Sequence, residues 1–199
     1  VDSTLTVGAD ATIPANVSLE FLSPVKLSHS TYTITVNGRI KAGRHQIFDG
    51  TGTVTLGVNV AEVYPEWFGN NSSPGTTDMT SAFSKALAAM PTGGRLTIGP
   101  TTYLITSGLT VTKNRIIVEG AGLSSLLNFT PATDSAKMWV TDGNKDNLVF
   151  RNFAMTLTNP ATRDNIIGFE MSSDDNSTTF ERLYIERFNK YGIHLTNSM

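Results

Sequence analysis

Val118-Glu119-Gly120-Ala121, Phe150-Arg151-Asn152-Phe153 and Phe180-Glu181-Arg182-Leu183 superimpose at lags of 32 and 30 residues. Each places an apolar residue first, then a charged one, then a turn-former or polar residue, then an apolar one again. Repeats of this length mark stacked units whose apolar faces are covered only by the neighbouring unit. The repeat therefore predicts a solenoid of strands in preference to a two-sheet sandwich.

Working outward, short strands continue on both sides. Thr4-Leu5-Thr6-Val7, Ser18-Leu19-Glu20-Phe21-Leu22, Tyr32-Thr33-Ile34-Thr35-Val36 and Thr53-Val54-Thr55-Leu56 alternate apolar with polar residues, and Gly8-Ala9-Asp10, Asn37-Gly38 and Asp49-Gly50-Thr51-Gly52 separate them. This is the signature of many brief strands divided by turns. Asn37-Gly38 fits either a hairpin turn or a solenoid corner. One helix interrupts the pattern. Met79, Ala82, Phe83, Ala86, Leu87 and Met90 recur at steps of three and four, which puts them on one face. Asp78 is the expected N-cap, and Pro91, Gly93 and Gly94 end the helix.

Composition agrees with an all-β chain. Of 199 residues, 28 are Thr, a β-branched residue suited to half-buried strands, while charged residues make up only 16%. The net charge is −2 and no basic run occurs, which argues against a nucleic-acid partner. No apolar run is long enough to span a bilayer by helix, so membrane insertion is not expected. Cysteine is absent, so disulfides and thiolate chemistry are excluded. His29, His45 and His194 lie far apart, without ligand spacing, so no metal or cofactor is expected and no Ser-His-Asp triad assembles.

Val63-Tyr64-Pro65-Glu66-Trp67-Phe68-Gly69, then Thr77-Asp78-Met79-Thr80-Ser81-Ala82-Phe83, then Gly93-Gly94-Arg95-Leu96-Thr97-Ile98, follow one another in an order that resembles the start of pectate-lyase-like β-helix domains. The resemblance is nearest to phage tailspikes and depolymerases. Gly99-Pro100-Thr101-Thr102-Tyr103 and Ile116-Ile117-Val118-Glu119-Gly120-Ala121-Gly122 answer the strand and corner that follow in that family. Asn70, Pro74 and Met79 depart from its usual residues in the approach to the helix. The resemblance implies an all-β, right-handed parallel β-helix with one short capping α-helix. It divides the chain into an N-terminal β-rich segment, 1–62, and the start of the β-helix, 63–199. The latter comprises the approach and capping helix, 63–93, and the first rungs, 94–199. It further implies a homotrimer on a virion tail, outside the cell, that binds and depolymerises capsule or O-antigen. A secreted polysaccharide lyase, hydrolase or epimerase, or a non-catalytic receptor-binding module, can share this scaffold. Because such solenoids run for many rungs, the chain is expected to be part of a longer protein with its cleavage site elsewhere.

The repeat places Glu119, Arg151 and Glu181 in one outward column. Two strand spacings separate the glutamates, about 9.5 Å, near the upper limit for an inverting carboxylate pair. The same column reads as an ordinary charge ladder, with each pair contributing a few tenths of a kcal/mol, or as a contact surface for polysaccharide. Asp174-Asp175 with Glu170 suggests calcium, but Ser172, Ser173, Asn176 and Ser177 around them read as a solvated corner. Trp139 and Tyr184 are candidates for stacking on sugar rings or for packing between rungs, and Trp67 is expected to anchor the segment before the helix.

Overall fold

The computed structural model describes residues 3–158, 162–172 and 175–196. It is mostly β-strand with a single α-helix among the described residues, and every strand pairing is parallel. Among the described residues no sheet closes on itself, and the arrangement is compatible with a parallel β-solenoid.

From residue 95 onward each pass of the chain contributes one strand to each of three sheets. The first sheet stacks β9 (Glu62–Val63), β10 (Arg95–Thr97), β13 (Ile117–Glu119), β16 (Val149–Arg151) and β19 (Thr179–Glu181). The second stacks β11 (Thr102–Ile105), β14 (Leu126–Phe129), β17 (Ala154–Leu157) and β20 (Tyr184–Glu186). The third stacks β12 (Leu109–Val111), β15 (Lys137–Thr141), β18 (Ile167–Ser172) and β21 (Tyr191–Thr196). Strands this short suit such a path, because each need only cross one side before the chain turns.

Residues before β9 follow the same plan. Parallel sheets form from β1 (Leu5–Thr6), β4 (Leu27–Ser30) and β7 (Phe48–Gly50); from β2 (Ala11–Ile13), β5 (Ile34–Val36) and β8 (Val54–Leu56); and from β3 (Leu19–Phe21) with β6 (Ile40–Ala42). Asn37-Gly38 is therefore a corner between sheets and not a hairpin. Only glycine fits there: a Cβ on Gly38 would lie 1.6 Å from the Val17 carbonyl oxygen.

The corners repeat with the strands. Arg115, Asn147 and Ser177 all adopt left-handed φ, of 60°, 54° and 59°, at equivalent places in successive passes. Asn tolerates that region better than Arg or Ser does, so the stacked neighbours hold the latter two there. Gly120-Ala121-Gly122 is a tight corner as expected. A Cβ on Gly120 would meet the Asn152 carbonyl oxygen at 2.5 Å.

The first apolar position of the sequence repeat points inward. Leu96, Val118, Phe150 and Phe180 are in register, and Phe150 stacks on Phe180 with ring centroids 5.7 Å apart. Trp139 is fully buried, edge-on to Phe150 at 5.4 Å and stacked on Phe169 at 6.2 Å, so it packs between passes and offers nothing to a sugar. Each such aromatic removes enough apolar surface to contribute about 2–3 kcal/mol.

The helix α1 spans Thr80–Ala89, shorter at both ends than the 78–90 expected. Met79 is its N-cap and makes no side-chain cap bond. Asp78, one residue earlier, accepts instead from the Thr80 N–H at 2.9 Å, the Thr80 hydroxyl at 2.6 Å and the Thr106 hydroxyl at 2.8 Å. The buried face holds Met79, Phe83, Ala86 and Leu87, and α1 packs on β12 on one side and on β8 on the other. It therefore lies inside the stack, joining the two series of passes, and covers two strand edges instead of one.

Candidate functional site

The outer face of the first sheet carries the charged column. Thr97, Glu119, Arg151 and Glu181 are in register on four neighbouring strands. Glu119 is the most engaged member. Arg151 Nη2 and Asn152 Nδ2 donate to its carboxylate at 3.1 and 3.3 Å, while Arg151 Nε at 3.1 Å and Arg95 Nε at 3.5 Å are ion-pair neighbours, the former without hydrogen-bond alignment. The hydrogen bond from Arg151 is the main reason the Glu119 carboxyl is held below the usual carboxylate range; burial opposes it, and the charges of Arg151 and Arg95 add to it. Glu181 pairs with Arg182 at 2.8 Å, and Arg182 Nε donates to Asn152 Oδ1 at 2.8 Å. Opposite charges thus surround Glu119, and Glu181 joins the network through Arg182 and Asn152. A carboxylate held ionised by two guanidinium groups is a poor general acid, since a general acid must carry a proton at working pH.

The motifs flanking the helix meet in the interior. Glu66, buried in the Pro65–Trp67 turn, accepts a hydrogen bond from the Tyr103 hydroxyl, and that oxygen accepts the Gly99 N–H at 3.0 Å. Trp67 Nε1 donates to the Gly43 carbonyl at 3.0 Å, which anchors this segment as anticipated. Arg44 lies over the Tyr64 ring, 5.2 Å from its centroid. Burial, then the hydrogen bond with Glu62, pushes the Tyr64 hydroxyl up to about 12. These residues fasten one pass to the next.

A third cluster was not visible in the sequence. Val140, Glu170 and His194 are in register on the third sheet. Glu170 pairs with the Lys137 ammonium through Oε1, and Oε2 lies 3.4 Å from His194 Nδ1. The His194 imidazole stacks on the Tyr191 ring, 4.6 Å between centroids and 12° between planes. No sequence spacing connects these residues, because their contacts run across strands and not along them.

The remaining candidates are structural. Asp175 accepts from the Lys145 N–H at 2.8 Å, the Ser172 N–H at 2.9 Å and the Thr141 hydroxyl, so it ties a corner; Asp174 lies outside the described residues. His29 is buried, with Nδ1 donating to the Tyr32 carbonyl at 2.9 Å. No group of three or more metal-ligating side chains occurs among the described residues. No helix there is long and apolar enough to cross a membrane. Tyr184 is 49% exposed on β20. Comparison with known proteins finds no matching family model, no matching curated protein and no matching solved structure.

Proposed function

We propose that the chain forms part of a right-handed parallel β-helix of the pectate-lyase-like type, in a tailspike that binds and depolymerises bacterial surface polysaccharide. The protein would act as a homotrimer at the virion tail. The observation that carries this reading is the meeting of the ordered motifs inside a parallel stack. Glu66 of the Pro65–Trp67 turn, Tyr103 of β11 and the helix between them all pack where one pass gives way to the next. A sandwich or a barrel would have no use for that conjunction.

Within this reading the Glu119–Arg151–Glu181 column is a wall that contacts polysaccharide. The ion pairing of its two carboxylates favours that role over cleavage, because committed carboxylates exchange hydrogen bonds with hydroxyls more readily than they deliver protons. The test is to incubate the full-length protein with purified capsule and O-antigen and to follow new reducing ends and unsaturated uronates. Cleavage or tight retention of polysaccharide by a trimer supports the reading. A monomer indifferent to every glycan refutes it.

A further inference from the structure

Between the sheet that holds β4 and β7 and the helix α1 lies a cavity of about 220 Å³, with the exposed Ala88 at its edge. Phe48, Val54 and Phe68 give it apolar walls, and His29 of β4 and Lys85 of α1 bring nitrogen groups to it. His29 is only 1% exposed. The register of β4 on β7 shifts between Ser28 and Ser30, and Ser30 takes a left-handed φ of 47°, so His29 sits in a bulge. A bulge re-aims the side chain it carries. The bond to the Tyr32 carbonyl occupies only one ring nitrogen, Nδ1, and because a carbonyl only accepts, that nitrogen carries the proton. Nε2 has no hydrogen-bond partner among the described residues. It borders Gly50, where a Cβ would come within 3.0 Å of it, so the glycine leaves that edge of the ring uncovered. Lys85 Nζ donates to the Gly50 carbonyl at 2.9 Å and keeps its other N–H groups for a further acceptor.

We propose that this cavity binds a small monocyclic alcohol of the phenol class. In the neutral imidazole with Nδ1 protonated, Nε2 is an acceptor, whereas the Lys85 ammonium can only donate. A hydroxyl serves both at once: it donates to Nε2 and accepts from Nζ. A carboxylate would satisfy Lys85 but bring no proton to Nε2, and a hydrocarbon would satisfy neither. The apolar walls then take the ring. An apolar cavity of about 150 Å³ already accepts benzene, so this one has room for a six-membered ring with its hydroxyl. The Phe48 and Phe68 rings, 5.3 Å apart with planes inclined at 31°, offer it edge and offset contacts. The site lies among the N-terminal passes, apart from the charged column on the outer face of the first β-helix sheet, and its ligand is not a polysaccharide.

The test is a titration of the full chain with phenol, followed by saturation transfer from protein to ligand and by the imidazole nitrogen signals of His29. Binding with a Kd of about 1 mM or tighter is expected, with the Nε2 signal shifted. Lys85→Met keeps the stem and removes the donor, and it should weaken binding about tenfold. Ala88→Trp should abolish binding by filling the edge of the cavity. It changes an exposed helix position, so it remains informative if Lys85→Met fails to fold. Toluene, which lacks the hydroxyl, should bind about tenfold more weakly than phenol. Toluene bound as tightly as phenol overturns the hydroxyl recognition and leaves an apolar cavity only. Benzoate bound more tightly than phenol overturns the class of ligand. No binding of phenol, or binding unchanged in folded Lys85→Met or Ala88→Trp protein, overturns the site.

Discussion

The hydroxyl of Tyr103 donates a hydrogen bond to Oε1 of Glu66, 37 residues earlier in the chain, and both side chains are buried. Burial, then the nearby Glu66 charge, pushes the Tyr103 hydroxyl well above its ordinary range, so it remains a donor throughout the physiological range. Tyr103→Phe keeps the ring and removes the hydroxyl, leaving Glu66 and the Gly99 N–H without that partner in the interior. A loss of about 2–3 kcal/mol is expected in urea titration. Adding Glu66→Leu should recover much of it. If Tyr103→Phe alone is neutral, the pair does not fasten the two passes.

Asp78 gives a prediction about acid. Burial by itself would raise its carboxyl, but the hydrogen bonds from Thr80 and Thr106 outweigh burial, and the group lies below its ordinary value of 3.8. A carboxyl depressed in the folded state contributes stability above its unfolded pKa, and that contribution fades as pH falls through the lower, folded pKa. Asp78→Ala should cost about 1–2 kcal/mol at neutral pH, the range for a lost helix cap. The gap between variant and wild type should close as the pH is lowered below about 4. A gap independent of pH would show that the charge of Asp78 is not what matters.

The legible parts of this molecule are those in which sequence lag equals structural pass. Val118, Phe150 and Phe180 recur at 32 and 30 residues because they fill one inward column, and the charges after them align for the same reason. The N-terminal passes were harder to read. Leu5, Leu27 and Phe48 are in register at lags of 22 and 21 residues, but strands of two to four residues carry too few side chains to repeat a motif. The apolar face marks the helix, and the Asp78 carboxylate accepts the Thr80 N–H of the first turn as expected of a cap, although Met79 occupies the N-cap position one residue later. The Glu170–His194 cluster could not be read at all. Glu170 faces Val140 in one direction and His194 in the other, and only the register reveals that.

Phe83 tests the internal position of the helix. It is fully buried, edge-on to Tyr103 at 5.2 Å, on a helix that packs against strands on both sides. Phe83→Asp loses the aromatic contacts and buries a charge with no partner, so the expected loss exceeds about 3–5 kcal/mol. Thermal unfolding of the variant should show a transition lowered by many degrees, or none. A variant that unfolds like wild type would mean that the helix can detach without consequence, contrary to its place between β8 and β12.

The last prediction concerns the charged column and separates its two roles. Glu119 is tied to Arg95 and Arg151, and Glu181 to Arg182, so neither carboxylate is free to move a proton to or from a glycosidic oxygen. Cleavage by such a pair needs one carboxyl protonated and the other ionised, with both held in place across the bond. The depressed Glu119 carboxyl cannot be the acid near neutral pH, and as a base its oxygens are already engaged by Arg151 and Arg95. Glu119→Gln and Glu181→Gln should therefore leave kcat for release of reducing ends from capsule or O-antigen unchanged, with any effect confined to KM through weakened polysaccharide contact. Their effect on stability should be small and asymmetric. Glu119, 20% exposed and shared by two arginines, should cost about 1 kcal/mol, while the exposed Glu181 pair should cost nearly nothing. The Glu119 contribution should shrink in high salt, and it should be lost as pH falls below its ordinary value of 4.5 and through the lower folded pKa. Cleavage by wild type that disappears in Glu181→Gln, with folding intact, would overturn this and make the column an active site.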